Sequence, residues 1–221
     1  MMEQRSDIDS EVVVSIKPKG NRYLIQLGNG EYLKYHKEVV LGSAIKKGTF
    51  LSDSLLKKIT AKEQEIEAHE SAIRLLSFRA RSVKELKERL QKKGLYIEIV
   101  DKEIDRLRNV GLLDDLKFAK VWVADRGSGR APRSRQLLKL ELSQHGITDS
   151  ILEEVLSEID DTENALQLAR KKARSLKNLE KNAFQKKMYA NLKRKGFDYE
   201  TIRGSVTTVW NEMNVNSGDK R

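Results

Sequence analysis

The sequence predicts a mainly helical chain, built as tandem three-helix repeats behind a small antiparallel β module. Three observations predict it. One frame recurs: Leu86 and Leu90 lie eight and four positions before Gly94, as do Leu138 and Leu142 before Gly146, and Met188 and Leu192 before Gly196. Apolar residues also follow each glycine at +6, +10 and +13: Val100, Ile104 and Leu107; Leu152, Leu156 and Ile159; Ile202, Val206 and Val209. The glycines are 52 and 50 residues apart, and self-similarity at a fixed period marks a stacked helical array. Second, two prolines and 34% charged residues favour long solvated helices. Third, the period before about Thr60 is that of short strands.

The strands come first. Residues 1–10 are polar and expected to fray. Val12–Ile16 is a β-branched run ended by Pro18 and Gly20-Asn21. Tyr23–Leu27 and Tyr32–Tyr35 flank Gly28-Asn29-Gly30, a hairpin signal because such turns need positive φ. Val39–Leu41 leads to a short helix or turn at Ile45–Thr49, and Ser52-Asp53 caps a helix through Ile59. So small a module is expected to pack on the first helices.

Ala61–Leu76 reads as a long helix with Ile66, Ile73 and Leu76 on one face. Ser82-Val83-Lys84-Glu85 is a capping box, in which the hydroxyl accepts an orphan amide and Glu85 reaches back. It opens the helix that ends at Gly94, a residue suited to the left-handed helix stop. The next helix spans Ile97–Asn109. Asp114-Asp115 caps a helix carrying Phe118, Trp122 and Val123. Arg133-Ser134 stands at the same offset from Gly146 as Arg81-Ser82 from Gly94. Thr148 is read as the cap of Ser150–Ile159, and Thr162 opens a helix through Leu179. Ala183–Lys195 and Tyr199–Met213 follow. The predicted modules are 1–60, a β-rich unit; 61–109 and 110–160, the first two repeats; and 161–221, the third repeat with a tail.

Charge patterning narrows the function. The net charge is +10; residues 1–70 hold 11 basic and 11 acidic residues, so residues 71–221 carry the whole excess, 32 basic against 22 acidic. A basic imbalance confined to the helical part points to an anionic partner. No apolar run approaches the ~20 residues of a membrane helix, and no apolar amino-terminal signal stands out. The absence of cysteine excludes disulfides and thiolate metal sites. A cytoplasmic monomer without cofactor or metal is expected.

Enzyme signals are poor. His36, His69 and His145 share no ligand spacing, and Gly127-Ser128-Gly129 lacks the Gly-Lys-Ser/Thr of a phosphate loop. Asp114-Asp115 is explained by helix capping, and Trp122 and Trp210 fall on apolar stripes. With 6% aromatic residues, stacking of single strands on side chains is not strongly indicated. The basic clusters are the better candidates. Arg126, Arg130, Arg133, Arg135 and Lys139 crowd one linker and the helix start after it, and arginine forks suit phosphates or carboxylates. Residues 166–195 hold 11 basic residues and one acid, Glu180. Among them are Arg170, Lys171, Lys172, Arg174, Lys186, Lys187, Lys193, Arg194 and Lys195. A solvated helix face is the bland reading. Yet so dense a run without carboxylates is slightly destabilising, which favours an anion-binding role.

The run Leu75–Leu86, then Leu90 and Lys93-Gly94, then Gly111–Ala119, resembles the RecX regulatory proteins. The second repeat, with its basic linker and Gln144–Ile147, is similar too, and the likeness extends over roughly residues 70–213. The amino-terminal hairpin with Tyr35-His36-Lys37-Glu38 is similar to the extra module of some members. The third repeat matches by pattern rather than by residues. The resemblance implies an elongated, curved array and a non-enzymatic modulator of the RecA recombinase in homologous recombination, DNA repair and the SOS response. It implies binding in the groove of the RecA–DNA filament, most often with inhibition of filament growth, strand exchange and ATP hydrolysis, and for some members DNA binding. The charge by itself leaves a DNA-binding protein with no recombinase partner as the alternative, and an enzyme as a distant third.

Overall fold

The computed structural model describes the backbone of residues 11–127 and 131–218, with side chains through residue 214. Residues 1–10, expected to fray, and Arg130, a candidate contact, lie outside the described residues. The protein is mostly helical, with one three-stranded antiparallel sheet at its amino-terminal end. It divides into two compact units, residues 1–79 with 86–112, and residues 80–85 with 113–221.

In the first unit, β1 (Val13–Lys19), β2 (Arg22–Leu27) and β3 (Tyr32–His36) pair in sequence order. Pro18 does not end β1; it pairs with Tyr23, which an edge strand permits. The alternation buries Ile25, Leu27 and Tyr35 on one face. Against them pack Val39 and Val40 of α1 (Lys37–Gly42), Ile45, Leu51 and Ile59. Helix α1 is absent from the sequence-based reading, because six residues are too few for a helical period to emerge. Ile45–Thr49 resolves as a turn.

Helix α2 (Asp53–Phe78) is continuous, so the short helix expected to stop at Ile59 is its first part. Ser52 does cap it, accepting the Leu55 amide at 3.3 Å. The buried positions farther along are Ala68, Ser71 and Ala72, whereas Ile73 is 37% exposed. Small residues take the contact because they allow close helix approach. Charged links tie the elements together. Arg22 of β2 reaches Glu63 and Glu67, and His69 Nδ1 lies 2.8 Å from Glu103 of α4 (Ile97–Asn109). Burial alone would raise the Glu67 carboxyl; hydrogen bonds from Arg22, Lys93 and Ser71 outweigh it and hold Glu67 below its usual 4.5. Helix α3 (Val83–Gln91) straddles the two units. Its Leu86 and Leu90, and Val100, Ile104 and Leu107 of α4, are all buried, as the recurring frame requires.

The second unit holds the start of α3, then α5 (Asp115–Gly127), α6 (Arg135–Gln144), α7 (Asp149–Leu156), α8 (Asp161–Ala173), α9 (Lys181–Lys193) and α10 (Tyr199–Gly218). One core joins Phe118, Leu138, Leu142, Leu152 and Leu156; another joins Ala169, Phe184, Met188, Leu192, Ile202 and Val209. Several expected ends move. Helix α8 stops at Ala173 rather than Leu179, and Asp160, not Thr162, caps it by accepting the Thr162 and Glu163 amides at 2.8 and 3.1 Å. Thr148 occupies the N-cap of α7, but its hydroxyl faces Ser150 at 3.2 Å and caps nothing.

Candidate interaction surface

The two recurring serines behave alike. Ser82 Oγ accepts the Glu85 amide at 3.2 Å, and Ser134 Oγ accepts the Leu137 amide at 3.1 Å. The residue after each serine donates its backbone N–H to a carboxylate at the start of a later helix. Val83 donates to Asp115 at 2.8 Å, and Arg135 to Asp161 at 2.7 Å. Asp114 alone of the Asp114-Asp115 pair caps α5, accepting the Lys117 amide at 3.0 Å, and that bond holds its carboxyl below the usual 3.8. Each serine-led helix start also receives the glycine end of a later helix. The Lys84 ammonium donates to the Gln144 carbonyl at 3.1 Å, and the Ser134 amide to the Lys195 carbonyl at 2.9 Å. The frame is therefore a docking device between repeats as well as a helix stop.

The linker arginines face inward more than their pattern suggests. The Arg126 guanidinium lies over the Trp122 ring, 3.6 Å from its centroid. Arg133 pairs with Glu141, whose other oxygen accepts Trp122 Nε1–H at 3.0 Å. His145 packs edge-on against Trp122 and Phe118. Arg135 donates to the carbonyls of Ser157 at 2.9 Å and Ile159 at 3.4 Å, beyond the end of α7. Arg126 is thus held within α5, Arg133 ties the linker to α6, and Arg135, though exposed, ties α6 to the end of α7, while Lys139 stands exposed on α6.

The second cluster is more open. Arg170 forms a two-bond pair with Glu212, at 3.0 and 2.6 Å, which holds the Glu212 carboxyl below its usual 4.5. Lys171 and Arg174 are exposed and Lys172 half-buried. On α9 the core side chains Phe184, Met188 and Leu192 recur every four residues, which leaves Lys186, Lys187 and Lys193 in solvent, with Arg194 just beyond. Helical spacing puts Lys186 and Lys193 on one flank and Lys187 and Arg194 on the other. Lys195 is half-buried beside Gly196. Among the described residues, no carboxylate lies within ion-pair distance of Lys139, Arg174, Lys186, Lys187, Lys193, Arg194 or Lys195.

Sequence reasoning missed a groove beside the first flank. The groove has a volume of about 520 Å³, and Lys186, Tyr189, Tyr199 and Arg203 line it. The two rings are 6.1 Å apart between centroids, and Lys193 Nζ lies 6.0 Å above Tyr189. The available signal was weak: two tyrosines ten residues apart across a helix–turn–helix.

Among the described residues, no group of three or more His, Cys, Asp or Glu side chains could hold a metal ion, and no helix is long and apolar enough to cross a membrane. The fold and the described surface define a helical-repeat protein with basic faces. Family models for the first and third three-helix domains of RecX match residues 68–107 and 158–204. The chain is 36% identical over 143 residues to the regulatory protein RecX of Chlorobium phaeobacteroides, covering 65% of this chain and 93% of that one. It is 31% identical over 199 residues to that of Clostridioides difficile, covering 88% and 92%. A crystal structure of regulatory protein RecX superposes with a TM-score of 0.58 at 23% identity over 87% of this chain and 97% of that one. RecX from Lactobacillus salivarius gives 0.57 at 24% identity over 67% and 97%. The chain belongs to the RecX family of regulatory proteins.

Proposed function

We propose that the protein binds RecA and the RecA–DNA filament in the cytoplasm and restrains recombinase, strand-exchange and ATPase activity. Membership of the RecX family carries this reading, together with the RecA partner that the sequence resemblance implies. The open basic face of the third repeat supports it. Lys186, Lys187 and Lys193 stand on α9 and Arg194 at its end, and the partner surfaces, filament phosphates and acidic protein patches, are anionic. Stacked helical repeats suit a long partner because they present extended surface rather than a closed site. The linker residues Arg126 and Arg133 are assigned to holding the second repeat's shape, and Lys139, Arg174, Lys186, Lys187, Lys193 and Arg194 to contact.

The test is RecA ATP hydrolysis on single-stranded DNA with substoichiometric protein added. Hydrolysis is expected to fall; an unchanged rate at every ratio sinks the reading. Co-sedimentation with RecA–DNA filaments, compared with DNA alone across a salt series, separates it from the plain DNA-binding alternative. The regulator is retained by filaments at salt concentrations that release it from DNA.

A further inference from the structure

We infer that the groove between α9 and α10 is a base-stacking site for single-stranded polynucleotide, with Tyr189 and Tyr199 as its platforms. Two stripes form it. Asn182, Lys186 and Tyr189 line it along α9 at spacings of four and three residues, and Lys193, over the Tyr189 ring, extends that stripe four residues beyond the groove; Tyr199 and Arg203 line it along α10 at a spacing of four. The α9 stripe is about 16 Å long at 1.5 Å per residue. The floor is apolar, since Ile202 and Val206 are both buried.

The chemistry of the walls selects the occupant. Tyr199 is 58% exposed, a large aromatic face that the protein's own core does not use. The Tyr189 ring is backed by the third repeat's core, so it is a rigid platform. Base–aromatic stacking is sequence-tolerant because every base has a π-face. Lys186 and Arg203, which line the groove, supply charge for the phosphates, Lys193 adds charge beside it over the Tyr189 ring, and no carboxylate is among the lining residues. Asn182 adds an amide that both donates and accepts, which suits base edges. An acidic protein segment would use the cations but leave the exposed face of Tyr199 unstacked. A duplex hides its base faces, so this site discriminates against it. The inference deepens the third repeat's proposed role. It fails separately from the recombinase reading, because oligonucleotide binding is measured without RecA.

The experiment is fluorescence anisotropy of the full-length protein with labelled oligo(dT), oligo(rU) and a duplex of the same length, at several salt concentrations. Tyr199→Ala is expected to weaken single-strand binding roughly 5- to 100-fold, with little change in salt slope, and Tyr199→Phe to restore it. Tyr189→Leu tests the second platform; circular dichroism confirms that it folds, and Lys186→Ala supplies a variant away from the core. Lys186→Ala and Arg203→Ala are expected to lower the salt slope by about 0.7 each. Tyrosine-dependent binding of either single strand supports the site, and the dT and rU arms say which sugar it accepts. Wild-type affinity of both Tyr199→Ala and Tyr189→Leu for both strands overturns it. So does a duplex that binds as tightly as the single strands, or polyglutamate that competes as well as unlabelled oligo(dT).

Discussion

Gly94, Gly146 and Gly196 share a sequence frame and a backbone conformation, with φ of +82, +79 and +87°, but not an environment. A Cβ at Gly94 meets nothing within 4 Å. At Gly146 it would lie 2.8 Å from Lys84 Cβ, and at Gly196 2.6 Å from both Leu137 Cβ and Ser134 Oγ. Gly94→Ala should therefore cost about 1 kcal/mol, from the left-handed backbone alone. Gly196→Ala should cost about 2–4 kcal/mol, because overpacking against a neighbouring repeat adds to that strain. Gly146→Ala should fall between them, since its clash is with Lys84 alone, whose outer side-chain atoms can move aside although its Cβ cannot. Urea denaturation of the three variants checks the order; equal losses would refute the docking role given to the later two.

At the scale of the element, the recurring device is a helix start capped from a later helix. Asp115→Ala and Asp161→Ala each strip an acceptor from a helix's first amide, and each should lose about 1 kcal/mol. Asp161 has a further signature. Burial raises its carboxyl above the usual 3.8, against the amide bond and charge of Arg135. A carboxyl raised on folding makes the folded state bind more protons, so its contribution improves as pH falls through the raised value. Asp161→Asn keeps an oxygen for the Arg135 amide and lacks this titration. The wild type should thus gain stability relative to Asp161→Asn on going from pH 7 to about pH 3. Paired chemical denaturation at the two pH values measures the difference, and a change in the other direction contradicts the assignment. Helices whose starts were read from serine caps or clear apolar periods lay close to where they were expected, Ile97–Asn109 residue for residue. Helix α1 and the early stop of α8 were not legible. Six residues carry no period, and Arg174–Leu179 keeps helical composition while forming turns.

For the whole molecule, the question is what the net charge of +10 does. Its location in the helical part was legible from residue counts; how it is used was not. Arg126 and Arg133 look like Lys186 and Lys193 in a list of charges, yet the former bind Trp122 and Glu141 and the latter face solvent. Arg133→Ala should lower the melting temperature and leave the salt slope of DNA binding unchanged. The combined replacement of Lys187 and Arg194 by alanine should leave melting unchanged and flatten the slope by about 1.4 on single strands. Thermal melts and salt titrations of the same preparations decide this. If Arg133→Ala flattens the slope as much as the lysine variants do, the linker is a contact surface after all.

The sequence by itself determined the helical repeats, the β module and the region of excess charge, because each is written in local spacing and composition, and its motifs carried the resemblance to the family. Only the tertiary structure decided which cations are held internally, which glycines carry a neighbouring repeat, and that Tyr189 and Tyr199 share one groove. Those facts depend on residues brought together across helices, such as Asp161 with Arg135, or Ser134 with Lys195. A one-dimensional period places each helix's faces but does not say what another helix will set against them.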